Sequence, residues 1–146
     1  MTTDCSPRAQ ATESSPDWSD ELAAMAGNVG PGWAPLVARA WRAARAAGSP
    51  VSEVVERWGA LHVHCVPAEA VGSDALWTLY WTLVGVERES LHVCEGCGGL
   101  GRPYYAGETV GPATVDETKT LCPVHAWAFY VDRERAWRQV ERASGM

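Results

Sequence analysis

The sequence predicts an α+β fold: helices packed on a small antiparallel sheet, with a C-terminal part built around two Cys/His pairs and ending in a long helix. Three observations predict it. Residues 34–47 and 73–90 repeat apolar side chains at helical spacing. "ALHVHCV", residues 60–66, alternates apolar and polar in a run of β formers. "CEGCGGLG" at 94–101 and "LCPVH" at 121–125 each bring two Cys or His residues within one turn of chain.

The bulk properties set limits. A chain of 146 residues is expected to hold one domain and a tail: a leader at 1–17, a helix–strand–helix portion at 18–90, and residues 91–146 joined to it in one compact unit. A net charge of −6 argues against a chain held on nucleic acid by bulk charge. No charged-then-apolar leader and no apolar run of roughly 20 residues is present, so no membrane association is expected and a cytoplasmic setting is. Thiols stay reduced there, and five cysteines read as metal ligands or free thiols before disulfides.

Taken in order, residues 1–17 are polar and aperiodic, and Cys5 within them reads as a thiol without function. "WSDELAAMAG" predicts a short helix ending at Gly27, and "NVGPGW" a turn. The helix at 34–47 places Leu36, Val37, Ala40, Trp41 and Ala44 on one face, and Gly48 and Pro50 stop it. Arg39, Arg42 and Arg45 line another face. Such a stripe is ordinarily solvated, and its sharper reading is a phosphate or acidic-partner contact. Val51, Val54 and Val55 suggest a helical turn before the strand at 60–66. That strand sets Leu61, Val63 and Cys65 on the core side and His62 and His64 on the other. Two such histidines can bind a metal, but no third ligand is evident beside them.

In the helix at 73–90, Ser73 or Asp74 is the expected cap and Leu76, Leu79, Tyr80, Leu83 and Val84 the expected core stripe. Trp77 and Trp81 widen the apolar surface almost all round. Such a helix is central to the domain, or its tryptophan edge meets a partner; the core reading comes first. Trp77, Trp81 and Trp137, on the C-terminal helix, are the candidate interface residues for a protein partner or a homodimer.

The chemistry lies in Cys94-x2-Cys97-x24-Cys122-x2-His125. Two close pairs joined by a longer excursion suit one tetrahedral zinc. Pro123 opens a helix, which puts Cys122 at its cap and His125 in its first turn. "RPYYA" and "TKTL" read as a hairpin between the pairs. A redox dithiol would need a helix after Cys97, where glycines and Pro103 stand instead. With four good ligands, one structural zinc is expected.

Knuckle, hairpin and ligand-bearing helix over residues 91–143 resemble a treble-clef zinc finger. A longer stretch, 30–126, resembles a family of small uncharacterised phage and bacterial proteins, on "GWAPLVARAWRAARA", "VVERWGALHVHC", "ESLHVCEGCGGLGR" and "KTLCPVHA". That family usually has a charged helix before the knuckle, where this chain has "ALWTLYWTLV". The resemblance implies fold and zinc but carries no activity. The expected function is non-enzymatic: a zinc-binding protein-interaction protein, such as a phage inhibitor of host defence or an immunity-type factor. The alternatives are a nucleic-acid-binding regulator using Arg39, Arg42, Arg45 and the arginines at 133, 135, 138 and 142, and a metal-dependent nuclease recruiting His62 or His64.

Overall fold

The computed structural model describes residues 19–66, 72–104 and 118–129. The leader with Cys5, the tip of the second hairpin, Tyr130, Trp137 and the arginines beyond 129 lie outside the described residues. The fold is α+β with two separate two-stranded antiparallel sheets.

Helix α1 (Asp20–Ala26) begins where the Ser19 hydroxyl accepts the Leu22 amide hydrogen, and it ends at Gly27. A single 3-10 turn, Pro31–Trp33, leads directly into α2 (Ala34–Ala46). The predicted face of α2 is the buried one: Leu36, Val37, Ala40, Trp41 and Ala44. Gly48, at φ 67°, ends it with paired bonds from the Gly48 amide to the Arg45 carbonyl and from the Ser49 amide to the Ala44 carbonyl. That left-handed residue turns the chain back toward the sheet at little steric cost.

Residues 51–57 correct the expected helical turn: they form strand β1 (Val51–Arg57), paired antiparallel with β2 (Ala60–Cys65). The cause of the misreading is a β-bulge. Cys65 pairs with Val51 and His64 with Glu53, so Ser52 is an extra residue. The bulge puts Val51 and Val54, three apart, on the same buried side. A three-residue apolar spacing imitates a helix when a bulge is not foreseen. Trp58 and Gly59 close the hairpin, both at positive φ, 51° and 77°. That is the two-residue turn whose twist matches paired strands, with a tryptophan in a position seldom given to one.

Helix α3 (Ser73–Ser90) packs across α2 and β2. Its start carries no side-chain cap: Gly72 is the cap residue, not Ser73 or Asp74. The core stripe also differs from the expected one. Leu79, Val86 and Ser90 are buried, and Ala75 and Leu83 are partly buried against the core, whereas Leu76 and Tyr80 are exposed. Apolar residues surround this helix, so its sequence did not mark which side faces inward. Ser90 explains part of the choice. Its hydroxyl accepts the Leu61 amide hydrogen at 2.9 Å and donates to the Glu87 carbonyl, which satisfies a buried polar group and ties α3 to β2. Strand β3 (Arg102–Tyr104) pairs with β4 (Lys119–Leu121), as the hairpin reading expects, and residues 123–129 form helix α4.

Candidate metal centre

The first ligand pair stands on a tight knuckle. The Gly98 amide donates to the Cys94 carbonyl at 2.8 Å, and the Cys94 amide donates to the Gly99 carbonyl at 2.8 Å. Gly98 sits at φ 76°, a conformation a side chain would strain. Just outside, Val93 and Leu100 form a β-bridge. The second pair stands at the start of α4. The His125 amide points at the Cys122 sulfur, 3.5 Å away, and the Ala126 amide bonds the Cys122 carbonyl at 2.9 Å. The Gly99 amide points likewise at the Cys97 sulfur, 3.4 Å away. Amide hydrogens aimed at sulfur favour the thiolate, which is the metal-binding form.

These elements converge. The ligand atoms of Cys94, Cys97, Cys122 and His125 all lie within 4.8 Å of one another. The sulfurs of Cys97 and Cys122 are 3.9 Å apart, and His125 Nδ1 lies 3.6 Å from Cys94 Sγ and 3.2 Å from Cys122 Sγ. A tetrahedral ion with zinc-like bond lengths would set sulfurs ~3.8 Å apart and sulfur from nitrogen ~3.6 Å. These three separations are near those values, while the cluster as a whole spans up to 4.8 Å. Three sulfurs and one imidazole nitrogen are the donor set of a soft or borderline divalent ion. The residues present therefore fit a metal, and Nδ1 is the histidine atom that faces it. The imidazole lies flat over Gly96, where an added Cβ would stand 3.1 Å from the ring. A side chain at position 96 would push the ligand ring away. Cys94 and Cys122 are buried, and Leu121 and Ala126 pack around them.

Two supports for the knuckle were not apparent from the sequence. The first is the turn before α2. The Gly32 amide donates to the Glu95 carbonyl at 2.7 Å, and the fully buried Trp33 donates its indole hydrogen to the Val93 carbonyl at 2.8 Å. A Cβ at Gly32 would stand 2.0 Å from the Cys94 carbonyl oxygen, and one at Gly30 would stand 2.3 Å from that of Glu95. Both glycines are required by backbone-to-backbone approach. Their only visible signal is "GPGW" itself.

The second support is a partly buried ion cluster. Lys119 Nζ lies 2.7 Å from Glu56 Oε2 and 3.4 Å from Glu95 Oε1, joining β4, β1 and the knuckle. Burial pushes the Glu95 carboxyl up, against the pull of Lys119. Burial acts to lower the Lys119 value, but its hydrogen bond to Glu56 and the charges of Glu95 and Glu56 together hold it above the ordinary lysine range. Glu95 Oε2 has no hydrogen-bond partner among the described residues. The Thr120 hydroxyl also bonds the Gly59 carbonyl at 2.6 Å, so the two hairpins touch at the β1–β2 turn.

The remaining candidates are scattered. His62 Nδ1 lies 3.5 Å from Glu87 Oε2, and His64 is exposed. Among the described residues, the four-ligand cluster is the one group of His, Cys, Asp or Glu placed to hold a metal. Arg39, Arg42 and Arg45 are exposed on α2, and Arg39 pairs with Glu89 at 2.6 Å. Trp77 and Trp81 are exposed on α3. No helix among the described residues is long and apolar enough to cross a membrane. Comparison with family models, curated proteins and solved structures finds no match for this chain.

Proposed function

We propose that this chain is a zinc-binding, non-enzymatic protein-interaction protein whose single ion is structural. The observation that carries the reading is the convergence of four donor atoms within 4.8 Å. Four protein ligands complete a tetrahedral shell and leave no position for substrate, as in structural rather than catalytic sites. The ion would be held by Cys94, Cys97, Cys122 and His125, and it would contribute folding free energy by joining the knuckle to α4. In this reading the finger is of treble-clef type: the knuckle, the β3–β4 hairpin, and a ligand-bearing helix that continues beyond residue 129. The exposed tryptophans of α3 support a protein partner, since aromatic side chains are favoured anchors at interfaces. The setting we propose, on the family resemblance alone, is a phage or mobile-element inhibitor of host defence or an immunity-type factor.

The test combines elemental analysis with oligonucleotide titration. One zinc per chain, loss of folding on chelation, and no steep salt-dependent shift of DNA or RNA are expected. Protein that folds without metal would remove the structural role. A steep salt slope would instead move the function to nucleic acid, because phosphate contacts release counterions.

A further inference from the structure

Among the described residues, helix α3 turns one side to the rest of the protein. Leu79, Val86 and Ser90 are its buried residues. At about 100° per residue, the opposite side carries Asp74, Trp77, Trp81, Val84, Gly85 and Arg88. Their spacings of three and four make one continuous seam along the helix. Trp77 is 63% exposed, Trp81 51% and the neighbouring Tyr80 54%. The three rings brace one another. Trp77 stacks on Tyr80 at 5.8 Å, and Trp81 meets both edge-on at 5.7 Å and 5.3 Å. Rings already held in place lose little side-chain freedom when a surface covers them.

We propose that this seam binds a second copy of the chain, the two α3 helices packing antiparallel about a two-fold axis at Trp81. The inference rests on the reading of the chain as a protein-interaction protein and names its partner. Self-complementarity carries it. Asp74 stands seven residues before Trp81 and Arg88 seven after it, so the axis sets Asp74 opposite Arg88 of the partner subunit at both ends. Parallel packing would set like charges together instead. Trp77 stands four residues before the axis and Gly85 four after, so each Trp77 meets a glycine. Among the described residues nothing requires a glycine at 85: it is exposed, and a Cβ added there meets nothing within 4 Å. Glycine inside a helix is destabilising. Across the axis it becomes the notch that receives an indole. The same surface patch serves both copies, as a two-fold contact requires.

The size of the patch sets the strength. Three aromatic side chains of about 150–250 Å² each, rather more than half exposed, offer on the order of 350 Å² per copy. A standard interface takes about 800 Å² per partner. The dimer is therefore weak and reversible, and it forms as concentration rises.

Sedimentation equilibrium of the full zinc-loaded chain across a wide concentration range tests this. A reversible monomer–dimer equilibrium is expected. Trp81→Ala and Gly85→Leu should each weaken it at least tenfold, while Gly85→Leu keeps or raises the melting temperature. A substitution that merely damaged the fold would lower both. Asp74→Arg and Arg88→Asp should each weaken the dimer, and the double exchange should restore it. A monomer at every concentration overturns the proposal, as does a dimer indifferent to the seam or a double exchange no better than either single one. A monomer whose Trp81 binds a different protein also overturns it, while leaving the interaction function standing. Protein that folds and dimerises without zinc would sink the structural-zinc reading and leave the seam intact.

Discussion

Trp33 donates its indole hydrogen to the carbonyl of Val93, 2.8 Å away and 60 residues along the chain. The bond joins the start of α2 to the residue just before the first metal ligand. Trp33→Phe removes the donor to the part-buried Val93 carbonyl and leaves a void at a fully buried position, so a loss of at least about 1–3 kcal/mol is expected. Denaturant unfolding measures it. Because the bond steadies the knuckle, zinc affinity should fall too, by tenfold for each roughly 1.4 kcal/mol that reaches the site. Competition with a chromogenic chelator reads that second effect.

One zinc is expected per chain, removed by either Cys94→Ser or Cys122→Ser. Metal binding contributes on the order of 10 kcal/mol in small fingers, a loss comparable to the whole stability of a typical domain. Mass spectrometry under native conditions gives the stoichiometry. Limited proteolysis after chelation should cut first between β3 and β4. Unchanged protease resistance in the chelated chain would contradict a structural ion.

Gly32→Ala tests the close approach of the α2 turn to the knuckle. The new Cβ would stand 2.0 Å from the Cys94 carbonyl oxygen, and backbone cannot yield as a flexible side-chain end can. A cost of about 3 kcal/mol or more is expected, at the upper end for overpacking. Gly85→Ala, where an added Cβ meets open space, serves as the control, and the helix should gain up to about 1 kcal/mol. Thermal unfolding of the pair separates crowding from propensity.

Lys119→Met leaves Glu56 and Glu95 without their cation. Removing one partner of a buried pair costs about 3–5 kcal/mol, and the partial exposure of Lys119 places this case at the low end. The pH dependence has a definite sign. The folded-state value of Lys119 is raised, so its stabilisation is complete below the unfolded value near 10.5 and is lost as pH climbs through the folded one. The stability gap between the natural chain and Lys119→Met should therefore stay wide at neutral pH and narrow only above about 10.5. A gap that closes near pH 7 would contradict the assignment.

The ligand set was legible because each ligand is named by its own chemistry and the pairs are local in sequence. Helix α2 was legible for a related reason: one apolar face, a proline near its start and a glycine after its end. Strand β1 was not, because the bulge at Ser52 gives Val51 and Val54 a helix-like interval. The inward side of α3 was hidden for the opposite reason, an excess of apolar residues rather than a broken rhythm. Least visible were Gly30 and Gly32, whose role is to bring one backbone against another. A contact without side chains leaves no pattern of hydrophobicity or charge to read.

The placement of the knuckle between its supports has a consequence for how the protein is made. Gly32 and Trp33 leave the ribosome long before Cys94 and Cys97, and these precede Cys122 and His125. A nascent chain can thus bring its first thiol pair against the Gly32–Trp33 support while Lys119 and the second pair are still unmade. Two thiols alone hold an ion weakly, so tight capture waits for the last part of synthesis. If the cluster takes zinc as proposed, the knuckle would be shaped in part by protein and locked by metal only once the last ligands are made, and a shortage of zinc would then fall on the C-terminal end of the chain.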